Sequence, residues 1–334
     1  MLPRSAFFAL VALGLGACSA GNASEADEPS DQLEKVERLG VWQPGPEGTQ
    51  VPLWPDDHEL LLPDSGDYPE HTGNGGTLVA GQPWHWASYV TRPTMTIYRP
   101  KGNATGTTMV VLPGGGFVAV AMDLEGTEIC DWVVQEGMTC VLLKYRVPQE
   151  WPKDEESGNR RRPDVLLALQ DAQRAMGLLR QRASSYGIDP GKIGVIGFSA
   201  GAYLAANMSN EEERSYTPVD DADRQPAVPD FAIIAYTARL WNESNAETDL
   251  SLAPWVEISP KAPPTLLIHA MDDPIDNIRH PMAYALALKE AGVPVDMRLY
   301  AGGGHAFGLR PTDDPITTEW PDQVMQWLQN IGAL

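Results

Sequence analysis

The chain has 334 residues, 43% of them apolar, and 45 acidic against 24 basic side chains give a net charge of −21. That length holds one large α/β domain or two smaller ones, and the apolar content is ample for a core yet too evenly spread for a membrane protein. The charge argues against nucleic acid as a partner, because nothing here would neutralise phosphates. It names no substrate. Acidic runs at 25–37 and 220–223 are expected to be solvated.

In chain order, Arg4 precedes an apolar run at 6–15 and then Leu15-Gly16-Ala17-Cys18. The run is too short to span a bilayer and is expected to be a secretory signal over 1–17. The small residues before Cys18 resemble the lipobox of bacterial lipoproteins. That resemblance implies lipidation at Cys18 and an exported protein anchored to the cell envelope, in the periplasm or at the outer membrane. No other contact with a membrane is expected. Residues 18–40 are acidic and poor in large apolar side chains, as in a flexible tether. Residues 41–334 are expected to form a single domain.

Residues 42–86 are rich in Gly, Pro, Trp and Asp and are expected to be loop with room for one strand. A strand is expected over 90–98, with Thr94, Thr96 and Tyr98 on one face and Met95 and Ile97 on the other. Buried strands then follow at 108–112 and 139–143, and further strands at 193–196, 231–235, 265–269 and 295–300. Helices are expected at 124–136, 164–186, 278–291 and 317–331. Alternation of short apolar strands with helices predicts an α/β fold, a mostly parallel sheet covered on both faces. Polar inserts at 148–163 and 210–229 are loops of the kind in which such folds place their sites. Cys130 and Cys140 close a short loop; a disulfide and two buried thiols both remain open. No histidine cluster flanks them, so they do not suggest zinc; no metal or organic cofactor is expected.

Gly197-Phe198-Ser199-Ala200-Gly201 ends an apolar run and leads into a helix-prone one. That is the context of a nucleophile elbow, although the pentapeptide alone is a weak signal. Three other segments complete a constellation. Pro113-Gly114-Gly115-Gly116-Phe117 follows a strand, and its backbone N–H groups suit an oxyanion, with Gly115 or Gly116 as one donor and Ala200 as the other. Asp272, Asp273 and Asp276 follow another strand; Asp272 is expected as the acid of a triad, and Asp273 or Asp276 as the cap of the next helix. Gly302-Gly303-Gly304-His305 follows the last strand and supplies the base. Of the other histidines, His269 is expected in the core and His280 on a helix surface or behind the site. The order Ser199, Asp272, His305 is that of an α/β-hydrolase triad.

These motifs, with Asp123-Leu124-Glu125-Gly126, Lys144-Tyr145-Arg146-Val147-Pro148 and Ile188-Asp189-Pro190, resemble bacterial α/β-hydrolase esterases related to acetyl-xylan esterases. The resemblance runs from about residue 90 to 334. It implies an α/β-hydrolase fold without a large separate cap, and hydrolysis of carboxylic esters, commonly acetyl groups on carbohydrate. The expected partner is an acylated carbohydrate or a small ester. Pro113 stands where the hormone-sensitive-lipase branch has histidine, so that branch's preferences do not transfer. A general short-chain carboxylesterase, a serine peptidase sharing the triad and a hydrolase fold used only for binding are the competing readings. Trp151, Trp241 and Trp255 are candidates to border the site. Arg146 is a candidate either for substrate or for a structural ion pair.

Overall fold

Runs of β-branched and aliphatic residues without a polar break are buried on both faces in a parallel sheet, and this chain has several. The computed structural model describes residues 39–63, 68–74, 78–148, 165–311 and 316–334. The expected signal, Cys18, nearly all of the tether and Trp151 lie outside the described residues. The strands are β1 (Thr49–Pro52), β2 (His71–Asn74), β3 (His85–Ser88), β4 (Thr94–Tyr98), β5 (Thr108–Leu112), β6 (Ala119–Ala121), β7 (Thr139–Lys144), β8 (Ile193–Phe198), β9 (Ala232–Ala235), β10 (Thr265–Ala270) and β11 (Val295–Tyr300). The helices are α1 (Glu128–Gln135), α2 (Leu166–Gln181), α3 (Ala183–Tyr186), α4 (Ala200–Asn210), α5 (Arg279–Glu290) and α6 (Ile316–Asn330).

Eight strands form the main sheet in the order β1-β4-β7-β5-β8-β9-β10-β11. From β7 to β11 every neighbouring pair is parallel, and only β4 runs against its neighbours. The register aligns the strand ends: Leu112 lies opposite Gly197, Phe198 opposite Ala235, and Ala270 opposite Tyr300. Residues 113–116, 199, 236, 271–273 and 301–305 therefore leave the sheet along one edge. Parallel α/β sheets gather their sites at that carboxyl edge.

Helices cover both faces. On one, α2 packs on α4, and Asn210 of α4 donates to the Tyr284 hydroxyl of α5 at 2.8 Å. On the other, Trp132 of α1 meets Trp320 of α6 edge to face. None of the described α-helices forms a separate cap, and none is long and apolar enough to cross a membrane. The helix expected over 124–136 begins as a single π turn, Asp123–Thr127, before α1. The helix expected over 164–186 breaks at Arg182, and its last turn, α3, ends at Gly187 with φ +71°. A left-handed residue there closes a helix, and glycine adopts it without a Cβ penalty.

Residues 42–86 hold more strand than their composition suggested. β1 extends the main sheet, and β2 and β3 join β6 in a small antiparallel sheet. These strands are four residues long and carry no clean alternation, so only pairing with distant partners defines them. The Cys130 and Cys140 sulfurs are joined, tying α1 to β7. Closing a loop of that length contributes about 2–3 kcal/mol.

Two expectations are corrected here. The acidic run 220–223 is not simply solvated: Asp220 pairs with Arg174 at 2.6 Å, and the buried Asp223 lies 3.0 Å from the same guanidinium. The hydrogen bond from Arg174 holds Asp220 down at about 2. The insert 210–229 packs on α2 through Gln173 and Arg174 and does not line the site. The question over Arg146 resolves to structure. It is buried, it meets Asp171 at 2.8 Å, and Trp54 donates to the same carboxylate at 2.7 Å. Lys144 forms another buried ion pair, with Glu70.

Candidate active site

Ser199 occupies the turn between β8 and α4 with φ +51° and ψ −115°, a sparsely populated conformation for a residue with a side chain. Tight packing holds it there. The Ser199 N–H donates to Ala235 O at 3.1 Å, and a Cβ on Gly201 would lie 1.9 Å from Leu112 O. Gly201 thus lets the helix start press against the end of β5. The Ser199 side chain stands over the carboxyl edge beside the first N–H groups of α4, which have no intrahelical acceptor.

His305 reaches Ser199 from the loop after β11. Its Nε2 lies 3.1 Å from Ser199 Oγ, and its Nδ1 lies 2.8 Å from Asp273 Oδ2. An ionised carboxylate can only accept, so Nδ1 carries the proton and Nε2 is left to accept from the serine hydroxyl. The acid opposite the histidine is therefore Asp273, and the expectation for Asp272 is corrected. Asp272 Oδ1 instead accepts from Gly304 N at 2.8 Å, at the exposed side of the loop that carries His305. The expected helix cap at Asp273 or Asp276 is corrected too: the N-cap of α5 is Ile278, with no side-chain cap bond, and Asp273 serves the turn before it. Its Oδ1 accepts from Ile275 N and Asp276 N at 2.8 and 2.9 Å, leaving Oδ2 for the imidazole.

The electrostatics follow from burial and partners. Burial opposes ionisation of Asp273, but His305 and the N–H groups of Asp276 and Ile275 outweigh it and lower its pKa. Burial likewise opposes the imidazolium of His305. The bond to Asp273 and the charges of Asp276, Asp273 and Glu125 outweigh that, so its pKa is raised. His269 is in the core, as expected: its Nε2 donates to Asp276 O at 2.9 Å and lies 3.5 Å from Asp273 Oδ2. Burial pushes its pKa down, which keeps it neutral beneath the aspartate. His280 is buried and accepts from Trp241 N through Nδ1, away from any solvated helix face.

Gly115, Gly116 and Ala200 meet Ser199 and His305 around one pocket of about 310 Å³. Gly115 has φ +125°, and a Cβ there would come within 2.2 Å of Ala119 O, so its position demands glycine. Val79, Trp84, Phe117, Leu124, Tyr203 and Ile275 make most of the remaining wall apolar, and Arg239 adds a guanidinium. Trp241 is buried behind the site, Trp255 is exposed, and neither lines the pocket; Trp84 does. Among the described residues no group of three or more His, Cys, Asp or Glu is placed to hold a metal.

Two residues at the site carried no functional expectation. Glu125 is buried at the pocket floor, where its carboxyl accepts from Gly114 N at 2.7 Å and from the Tyr236 hydroxyl at 2.8 Å. Tyr236 in turn presents its ring to His305, centroids 5.0 Å apart. A signal existed for Tyr236, since it is the first residue past a parallel strand, in the row where such sites assemble.

Residues 109–309 match the alpha/beta hydrolase fold family. The chain belongs to that family. Relatives of this alpha/beta hydrolase include an acetylxylan esterase of Xylanibacter ruminicola, 26% identical over 252 residues, or 72% of this chain and 48% of the relative. An ethyl acetate hydrolase of Pseudomonas putida is 26% identical over 236 residues, 63% of this chain and 70% of that one. Among solved structures, the acetyl ester-xyloside bifunctional hydrolase from Caldicellulosiruptor lactoaceticus matches with a TM-score of 0.64 at 25% identity, covering 86% of this chain and 98% of that one. The alpha/beta hydrolase described here spans about half the length of the acetylxylan esterase.

Proposed function

We propose that the chain is a serine carboxylic-ester hydrolase that removes acetyl groups from carbohydrate. The observation that carries this reading is the line of hydrogen bonds from Asp273 through His305 to Ser199, at 2.8 and 3.1 Å. His305 Nε2 takes the proton of Ser199 as Oγ attacks the ester carbonyl carbon. The tetrahedral oxyanion is held by backbone N–H groups of Gly115 or Gly116 and of Ala200. Collapse expels the sugar oxygen, which takes the proton from Nε2, and leaves acetyl-Ser199. Water then gives a proton to His305 and attacks the acetyl carbon; acetate leaves and Ser199 regains its proton. Asp273 stays ionised throughout and fixes the imidazole tautomer.

The acetyl and carbohydrate parts of the proposal are supported by the names of the acetylxylan esterase and the acetyl ester-xyloside hydrolase, and by a small apolar pocket suited to a short acyl group. The ethyl acetate hydrolase supports a second reading, a short-chain esterase without sugar preference. Acetate release from acetylated xylan, acetylated xylo-oligosaccharides and ethyl acetate separates the two. Faster turnover of the acetylated sugars supports the first, and turnover of ethyl acetate alone supports the second. Ser199→Ala is expected to lower kcat by about 10⁵–10⁶-fold and to abolish labelling by a serine-reactive phosphonate. Undiminished turnover in that variant overturns both readings.

A further inference from the structure

The peptide unit between Pro113 and Gly114 is held by side chains at both ends. Its carbonyl, Pro113 O, accepts from the Tyr145 hydroxyl at 2.6 Å. Its N–H, on Gly114, donates to Glu125 Oε2 at 2.7 Å. Both side chains are buried, at 0% and 2% exposure, so neither bond competes with solvent. A backbone plane gripped at its carbonyl and its N–H cannot rotate, and its orientation sets where the next N–H groups point. Those next groups belong to Gly115 and Gly116. Space is equally constrained: a Cβ on Gly114 would lie 2.7 Å from Glu125 Oε2 and 2.9 Å from Ser199 Cβ. The clamped peptide is thus wedged between the glutamate and the nucleophile.

The other oxygen of Glu125 extends the linkage. Oε1 accepts from the Tyr236 hydroxyl at 2.8 Å, and the Tyr236 ring stands edge-on against His305. Tyr236 itself has φ +40°, a strained conformation that its neighbours maintain. Glu125 projects from the single π turn that precedes α1, and such turns recur at functional sites. One carboxyl therefore joins the glycine loop after β5 to the residue after β9 that packs against the base.

We propose that Glu125, acting with Tyr145, is a positioning residue that aims the Gly115 and Gly116 N–H groups at the reaction's oxyanion. This rests on the esterase reading above. Glu125 does not touch the reacting atoms; it acts through the 113–114 peptide. Burial pushes its carboxyl pKa up against the pull of Tyr236, His305 and Gly114. Glutamine keeps the shape and both contacts: its amide oxygen accepts from Gly114 N, and its amide N–H donates to the Tyr236 oxygen.

The test compares wild type, Glu125→Gln, Glu125→Ala and Tyr145→Phe. Ser199 is first titrated with a phosphonate, so that rates refer to competent molecules. Losing an oxyanion donor costs about 10²–10³-fold in kcat, and Glu125→Ala is expected to lose about 10²-fold with KM within a few fold. Tyr145→Phe keeps the ring packing and is expected to lose about tenfold in kcat, one partner of the clamp being retained. Glu125→Gln is expected to stay within about threefold of wild type, because the bond from Gly114 survives and the contact with Tyr236 is kept with its donor reversed. Affinity for a trifluoromethyl ketone, which adds to Ser199 and places an oxyanion in the same hole, is expected to fall in parallel with kcat. A merely structural role lowers the titrated fraction and leaves kcat per titrated site and ketone affinity unchanged; that result overturns the inference. If Glu125→Ala does not fold, unchanged kcat and ketone affinity in Tyr145→Phe overturn it alone. A wild-type Ser199 that neither reacts nor turns over ester overturns the esterase reading with it.

Discussion

Two of the buried charge clusters among the described residues are built on opposite principles. Along α2, Asp171 faces Arg146, and Asp223 faces Arg174 and Arg214. The cations there are guanidinium groups, which keep their charge at every accessible pH. At the carboxyl edge of the sheet, Asp273 faces the imidazole of His305, and Glu125 is served by a phenol and a backbone N–H. No permanent cation partners either carboxyl in the bonds that define the site. The first cluster fixes the N-terminal segment and the 210–229 insert against a helix. The second, in the mechanism proposed above, leaves one proton free to move between Ser199 and His305, and it tolerates strain at Ser199 and Tyr236 that the first does not show. Permanent partners make shape, and titratable partners make chemistry.

Asp273→Asn is the sharpest way to break the second cluster without touching the first. The asparagine fills the same volume but no longer favours the tautomer with a proton on Nδ1. A loss of about 10⁴-fold in kcat is expected, with little change in melting temperature. The acid limb of kcat/KM also moves. The proposed mechanism needs neutral His305, and in the wild type its raised pKa places that limb above the ordinary imidazole value. Removing the bond and charge of Asp273 leaves burial as a larger share of the balance, so the limb shifts to lower pH. A pH–rate profile shows the sign; an unmoved limb separates Asp273 from His305.

Asp171→Asn breaks the first cluster, and its effect falls on stability. It leaves Arg146 buried with an uncompensated charge, which costs about 3–5 kcal/mol. Denaturant unfolding measures that loss. kcat per folded molecule is expected to stay at the wild-type value, because among the described residues Asp171 bonds Arg146 and Trp54 and lines no part of the pocket. A large fall in kcat for the folded fraction would merge the two clusters into one functional unit.

The parts of this design that a sequence exposes are those with local causes. Apolar runs at 108–112 and 193–196 become strands because burial on a parallel sheet wants an unbroken apolar segment. Ser199 and His305 announce themselves through glycines that their tight loops require. β2, β3 and β6 have no such signature, since their pairing partners are distant and their runs are three or four residues long. The disulfide was open for a similar reason: spacing does not fix where two Cβ vectors point, and only the packing of α1 on β7 brings the sulfurs together. Arg174 with Asp220 and Asp223 was hidden because an acidic run has the same composition whether solvated or paired across 46 residues. Glu125 was visible as a residue and invisible as a linker, because its partners come from the ends of two separate strands.

The smallest expected effect is at the residue the sequence favoured for the acid. Asp272 and Asp273 are adjacent, follow the same strand and both lie beside the His305 loop. Pattern alone does not rank them; the turn does. With Oδ1 of Asp273 taken by the N–H groups at 275 and 276, its carboxylate is oriented inward and buried, while Asp272 is turned outward onto Gly304 N. Asp272→Asn keeps an acceptor oxygen for Gly304, and kcat/KM is expected within about threefold of wild type. Asp272→Ala loses a hydrogen bond at the surface, worth about 0.5–1.5 kcal/mol, and loosens the loop that carries His305; a loss of up to about tenfold is expected. Steady-state kinetics of both variants beside Asp273→Asn decide between the two carboxylates. A loss of several orders of magnitude at 272, with Asp273→Asn still active, would reverse the assignment and place the working acid on the exposed side of the turn.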